Sequence, residues 1–333
     1  MTLLDRLHRP LRDLRISVTD RCNFRCGYCM PADLFGPGHV FLPKGELLTF
    51  EELHRIAGIA VGAGVTKLRL TGGEPLLRRG IEDLVGLLAS IPGGADLALT
   101  TNGVLLAHHA EALALAGLKR VTVSLDALDA EIFGRMNGTG ADVSRVLAGI
   151  EAARVFGLPV KVNAVVKRGA NEGQVLPLVR WARDCGVTMR FIEYMDVGET
   201  NGWNLREVVS AQEMVEMISR EFPFVEIAGR NGGTALRFQH ADGAGEIGII
   251  ASVTRPFCGD CSRLRLSAEG KLFTCLFSGA GHDLKALVRG GAGNDVIAAM
   301  LGGIWQDRSD RYSELRGQGG TIEPKAEMSY LGG

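Results

Sequence analysis

No stretch of the 333-residue chain is long and apolar enough to fill the hydrocarbon core of a bilayer, so a membrane span is not expected. Charge of neither sign is in excess. Lys and Arg number 37 against 38 Asp and Glu, and a formal net charge of -1 leaves no global basic footprint for nucleic acid or an anionic membrane. Any anionic ligand must be met by local cations. A phosphate-binding loop of the form G-x-x-x-x-G-K-[ST] occurs nowhere. "GAGEIG" at 243–248 fits G-x-G-x-x-G, but it leads into the strand-like "IIASV" where a nucleotide fingerprint must open a helix, and it reads as a turn. The opening "MTLLDRLHRPLRD" mixes charges into its apolar residues and shows no signal-peptide core, which makes the cytoplasm the expected location. In that reducing compartment, clustered cysteines point to metal binding or catalysis more than to disulfides. The chain has seven, an odd number.

What is present is a rhythm. From residue 13 to about 195, a short β-branched run, a polar or glycine loop and an amphipathic helical stretch recur. The runs are "LRISVT", "TKLRLTGG", "LALTTNG", "RVTVSLD", "VKVNAVVK" and "MRFIEYM". Alternating β and α signals imply a parallel sheet with right-handed crossovers. Six repeats fit either a doubly wound sheet or a barrel with two units missing; the fold expected here is α/β, an incomplete (βα)6 TIM-type barrel over residues 1–200. A C-terminal α+β region at 201–333, in which "ALRFQH" and "GEIGIIASV" read as antiparallel strands, is expected to close it. Polar residues recur where each strand meets its loop: Asp20, Thr71 and Glu74, Thr101 and Asn102, Ser124 and Asp126, Lys167, and Met195 with Asp196. In parallel sheets that rim is the usual place for catalysis.

Six of the cysteines form two trios, each one ligand short. Cys22, Cys26 and Cys29 fit C-x3-C-x2-C, and Cys258, Cys261 and Cys275 fit C-x2-C-x13-C. Structural zinc closes its tetrahedron with four protein ligands, and neither trio has a histidine at finger-like spacing; His39 and His282 are the nearest. A four-iron cubane is also held by thiolates, and three cysteines leave one iron free for something that is not protein. A zinc-stabilised binding module stands as the plainer alternative. Cys185 lies outside both trios and reads as a packed cysteine at a helix end.

The first trio carries Tyr28 before its last cysteine and is followed by "TGGEPLLR". In this combination of spacing, aromatic and Gly-Gly-Glu-Pro, the chain resembles the radical S-adenosylmethionine (SAM) enzymes. The second trio, with Arg263 and Arg265 just after its pair, "RFIEYMDVG", "NGW" and a terminal Gly-Gly, is similar over essentially the whole chain to the GTP 3′,8-cyclases of molybdenum cofactor biosynthesis. A peptide-modifying radical enzyme with an auxiliary cluster is the alternative within the superfamily. The cyclase resemblance implies two [4Fe-4S] clusters on the six cysteines, with SAM at the open iron of the first. Tyr28, Gly73, Ser124 and Met195 would line the SAM pocket. Arg15, Arg69, Thr100, Lys161, Arg190, Arg263, Leu264 and Arg265 would contact GTP, and Gly332 and Gly333 would enter the site to help Arg15. The implied reaction is hydrogen abstraction from the ribose C3′ by an adenosyl radical, attack on guanine C8 and reduction to 3′,8-cyclo-7,8-dihydro-GTP. A cyclic pyranopterin monophosphate synthase would use that product, and a homodimer is compatible with the resemblance.

The cations make sense without the family. Arg263 and Arg265 alternate with Leu264 and Leu266, so in a strand both guanidiniums point one way. Lys67 and Arg69 share a face of the second strand, Lys161 and Asn163 one of the fifth, and Arg190 belongs to the sixth. Unpaired charges within buried strands are expensive, so several together ask for an anion. Arginine suits a polyphosphate because its fork pairs phosphate oxygens two at a time.

Overall fold

A computed structural model of the chain describes residues 2–229, 233–316 and 324–332. The first six strands are β1 (Asp13–Ser17), β2 (Lys67–Thr71), β3 (Asp96–Thr101), β4 (Arg120–Ser124), β5 (Val160–Val166) and β6 (Thr188–Glu193). They lie side by side in chain order, and every pair is parallel. Helices join them: α1 (Phe50–Gly62), α2 (Ile81–Ala89), α3 (Leu106–Leu115), the pair α4 (Ala130–Asn137) and α5 (Val143–Val155), and α6 (Val175–Cys185). Local chemistry sets the helix starts. Thr49 and Glu52 form a reciprocal capping box on α1, and the Asp129 carboxylate accepts from the Ile132 amide at the head of α4.

Alternation along the strands separates two faces. Leu14, Ile16, Leu68, Leu70, Leu99, Val121, Val123 and Val162 are fully buried in the core shared with the helices. Their neighbours Arg15, Arg69, Thr100, Thr122, Lys161 and Asn163 turn the other way, into a cavity. Such two-sided strands show why the polar residues in "LRISVT" and "TKLRLT" do not interrupt the sheet.

The C-terminal region departs from the expected arrangement. After α7 (Ala211–Ser219) come β7 (Phe224–Ile227), β8 (Leu236–His240), β9 (Glu246–Ile250), β10 (Arg263–Leu266), β11 (Lys271–Phe273) and β12 (His282–Asp283), then α8 (Lys285–Arg289), α9 (Asn294–Gln306), α10 (Tyr312–Leu315) and α11 (Met328–Leu331). β8 and β9 are antiparallel as read, and residues 243–245 turn into β9. These strands do not close the sheet. β9 pairs in parallel with β6 and β10 in parallel with β1, so both exposed edges of the six-stranded core are satisfied. Antiparallel neighbours then continue outward to β12 on one side and β7 on the other, giving an open order β12-β11-β10-β1-β2-β3-β4-β5-β6-β9-β8-β7. Added strands move the edges outward rather than joining them. No helix among the described residues is long and apolar enough to cross a membrane.

Candidate active site

The parallel pairing of β1 with β10 decides where the cysteines lie. Cys22, Cys26 and Cys29 follow the C-terminal end of β1, whereas Cys258 and Cys261 precede the N-terminal end of β10, with Arg15 opposite Arg265 in register. Because the two strands run the same way, the trios stand at opposite ends of one cavity of about 760 Å³ that all six cysteines line. A five-residue strand separates them, about 15 Å of backbone.

Between the ends lies a belt of cations. Register places Arg265, Arg15 and Arg69 abreast on β10, β1 and β2, with Arg263 beside Asp13 one step nearer the second trio. Arg69 donates to the hydroxyls of Thr100 at 3.1 Å and Thr122 at 3.3 Å, and Arg190 donates to Thr122 at 3.3 Å from the far side. Gly248 faces Arg190 across β9, and a Cβ there would come 2.9 Å from the arginine's stem. Burial and crowding weaken the cations' hold on their protons. Burial, then Arg69 alongside, brings Arg15 down to about 9, and the same pair of causes brings Lys67 down to about 7. Arg69 and Arg190 fall to about 10, mainly through burial. Arg265 also falls well below the ordinary arginine value, through burial and then Arg15 and Arg263. The Nε atoms of Arg15, Arg69, Arg190 and Arg263 are buried without a hydrogen-bond acceptor. A multiply charged anion would satisfy all of these groups at once.

Each trio is braced by arginines that donate to the backbone around it. Arg25 reaches the carbonyls of Cys22 at 2.8 Å and Phe24 at 2.7 Å. Arg9, 1% exposed and paired with Asp5, donates to the Cys258 carbonyl at 2.9 Å, and Arg308 donates to that of Cys261 at 2.6 Å. Neither Arg9 nor Arg308 was legible as a site residue, because their partners lie about 250 and 50 positions away. The "GGEP" segment supports the first trio from the next strand. The Gly73 amide donates to Thr19 at 2.8 Å, and the Glu74 carboxylate accepts from Thr101, the Asn102 amide and the Leu76 amide. Asn102 in turn donates to Asn23 at 2.7 Å. The Tyr28 hydroxyl donates to Asp126 at 2.7 Å, and burial pushes that carboxyl up to about 6.

The donor sets suit clusters better than single ions. No three His, Cys, Asp or Glu side chains among the described residues are arranged to hold one metal ion. His39 packs between Phe35 and Phe41, His282 is exposed on β12, and neither lines the cavity, so neither completes a zinc tetrahedron. Three thiols facing one cavity at each end, with no histidine lining it among the described residues, fit a cubane that keeps one iron open.

Of the residues singled out in the sequence, Arg15, Tyr28, Arg69, Gly73, Thr100, Ser124, Lys161, Arg190, Met195, Arg263 and Arg265 all line this cavity. Leu264 does not; its side chain is fully buried in the core on the opposite face of β10, leaving only its backbone at the site. Cys185 packs at the end of α6 against the core. Gly332 is buried at the end of α11, where its carbonyl accepts from Arg265 at 2.6 Å. Its φ of 68° favours glycine, and a Cβ would overlap Thr71. Gly333 lies outside the described residues. Asn163, Arg237 and Glu246 also line the cavity.

Residues 16–182 match the model of the Radical SAM superfamily, and residues 187–314 match Molybdenum Cofactor Synthesis C. The GTP 3′,8-cyclase of Acidothermus cellulolyticus is 53% identical, with 99% of this chain and 98% of the relative covered. This chain belongs to the GTP 3′,8-cyclase family of radical SAM enzymes. A second family member, from Xanthomonas axonopodis pv. citri, is 50% identical over 99% of this chain and 98% of its own. The fold extends beyond the family. Streptococcus suis SuiB bound to S-adenosylmethionine superposes with a TM-score of 0.63 at 15% identity, covering 92% of this chain and 71% of that one. Membership brings [4Fe-4S] clusters and SAM as the family's cofactors, in keeping with the two cysteine trios.

Proposed function

We propose that the chain converts GTP to (8S)-3′,8-cyclo-7,8-dihydro-GTP, the first committed product of molybdenum cofactor biosynthesis. The observation that carries this reading is the row Arg265, Arg15, Arg69 suspended between two cysteine trios. Cys22, Cys26 and Cys29 would hold the first [4Fe-4S] cluster and Cys258, Cys261 and Cys275 the second. When bound, the first cluster and SAM supply the radical that takes hydrogen from substrate. The chain's own part is placement. Tyr28, Gly73, Ser124 and Met195 bound the space next to the first trio, where SAM would lie. Arg15, Arg69, Lys161, Arg190, Arg263 and Arg265, with the Thr100 hydroxyl and the Leu264 backbone, take the triphosphate and ribose, so that the sugar faces the first trio and the base the second. Fixing both reactants in one cavity converts an encounter into a positioned reaction. Gly332, held by Arg265, brings the tail against this belt.

In architectural terms we read the six βα units as an incomplete (βα)6 TIM-type barrel. Residues 1–200 serve the first cluster, and residues 201–333 supply the second and the tail. One cavity touched by Arg265 of β10 and Ile250 of β9, strands on opposite flanks of the six, supports a strongly curved sheet. We place the protein in the cytoplasm. The partners are GTP and, through its product, a cyclic pyranopterin monophosphate synthase.

The test is an anaerobic assay with SAM, GTP and a strong reductant. 5′-Deoxyadenosine should form in a GTP-dependent manner together with the cyclised nucleotide. Equal 5′-deoxyadenosine with and without GTP, and no new nucleotide, would remove the substrate assignment.

A further inference from the structure

The tail is tied to the molecule before it reaches the cavity, and the tie is specific. Glu327, at the head of α11, accepts from the Glu199 amide at 3.0 Å and from the Thr200 hydroxyl at 2.7 Å. Both donors belong to the loop that leaves β6 after Met195. The same loop takes Lys325, whose ammonium donates to the Asp196 carbonyl at 3.0 Å and its carboxylate at 3.1 Å. Gly198 makes the fit possible. Its φ is 72°, and a Cβ built there would overlap the Glu327 carboxylate. Above the clasp, Tyr330 and Leu331 amides donate to the Glu327 carbonyl and the Gly332 amide to that of Met328, so the clasped residue is the footing of the whole α11 turn.

We infer that Glu327 is a positioning residue that sets how far the tail reaches toward the arginine belt, by locking α11 to the loop that carries Met195. The physical reason is length. From Glu327 to Gly332 the chain is one helical turn and one residue, too short to absorb a shift at its base without moving the Gly332 carbonyl off Arg265. A four-residue helix has no stability of its own and takes its position from what anchors it. The Met195 loop also borders the first trio's side of the cavity, so the clasp joins the wall beside the first trio to the segment that touches the belt beyond it. This inference rests on the reading of the tail as part of the reacting site.

The experiment uses the full-length, cluster-loaded enzyme with Glu327→Gln, which keeps the side chain's size but weakens both accepted bonds, and Gly198→Ala, which pushes on the carboxylate from the opposite side. Hydrogen exchange at the Tyr330, Leu331 and Gly332 amides, measured without GTP, should speed by about tenfold in both variants, the size expected for losing a charge-assisted bond. With GTP and SAM, cyclised nucleotide per 5′-deoxyadenosine should fall by about tenfold, while SAM cleavage continues. A purely structural defect would lower both products together. Unchanged exchange in Glu327→Gln overturns the clasp. Faster exchange with full coupling upholds the clasp and overturns the tail's part in cyclisation, and failure of the unsubstituted enzyme to cyclise GTP overturns the substrate reading while the exchange result still decides the clasp.

Discussion

The two ends of the cavity each carry three cysteines and surround them with different charges. At the first trio, burial dominates: it pushes Cys22 up to about 11 and Cys29 to about 12, and it raises Cys26 with help from Asp126. At the second trio burial also raises Cys275, to about 11, yet Arg263 and Arg308 outweigh it at Cys261 and bring that thiol down to about 6. The first end keeps company with Tyr28, Asp126, Glu74 and Arg25, the second with Arg9, Arg263 and Arg308 and the carboxylate of Asp310. SAM carries a sulfonium, and a nucleoside triphosphate several negative charges. The charges around the two trios thus differ along the strands, and on the proposed reading this difference would favour SAM at the first end and the triphosphate toward the second.

Removing a ligand at either end gives the sharpest break in this comparison. Cys22→Ala, Cys26→Ala or Cys29→Ala should abolish 5′-deoxyadenosine formation altogether, which chromatography of anaerobic reactions reads directly; appreciable cleavage by any of them would falsify the assignment of the first trio. Cys258→Ala, Cys261→Ala or Cys275→Ala should leave SAM cleavage but yield no cyclised nucleotide, with iron per chain down by about half. Normal turnover in those variants would remove the second trio from the reaction.

Smaller effects come from the belt between. Arg263→Ala and Arg265→Ala should each weaken GTP binding by about 1.5–3 kcal/mol, the range for a hydrogen bond to a charged group, and leave SAM affinity unchanged in titration calorimetry. Equal losses for both ligands would argue against that placement. Arg265 should show an additional loss of coupling, because it also holds the Gly332 carbonyl.

The finest distinction is a proton. Lys67 lies at about 7 when no anion is present, held down by burial and Arg69. A bound polyphosphate favours the charged ammonium and raises that value, so GTP binding takes up a proton at and above neutral pH. Affinity should therefore fall as pH rises from about 7, by at most tenfold per unit until the raised value is passed. Calorimetry in buffers of different ionisation enthalpy reads the proton, and Lys67→Met should flatten this part of the profile. A profile unchanged by the substitution would detach Lys67 from the anion.

Legibility from sequence followed the range of the interactions involved. The trios, Tyr28, "GGEP" and the alternation in "RLRL" are local patterns, and the fold brings the six cysteines, Tyr28, Gly73, Arg263 and Arg265 to one cavity. Leu264 shows the limit of carrying a site over by motif, since the alternation that aims Arg263 and Arg265 into the cavity turns its side chain into the core. The closing region was misread for a related reason. "ALRFQH" and "GEIGIIASV" announce strands, but strand patterns carry no address, and β10 finds β1 some 250 residues away only through matching edges. Arg9, Arg308 and Glu327 gave no signal at all. Each is an ordinary charged residue until the fold sets a carbonyl, an amide or a hydroxyl beside it.

By itself, then, the amino-acid order determined the two cysteine trios and their spacing, the six βα units and which strand residues share a face, because these depend on covalent spacing and on periodicities of 2 and 3.6. Only the tertiary structure decided that the trios stand at opposite ends of one cavity, that three arginines from distant segments stand abreast, and that the tail is clasped by the loop after β6. Those relations depend on strand order, register and buried hydrogen bonds between groups remote in the chain, where the energy of each contact exists only once all the others have formed.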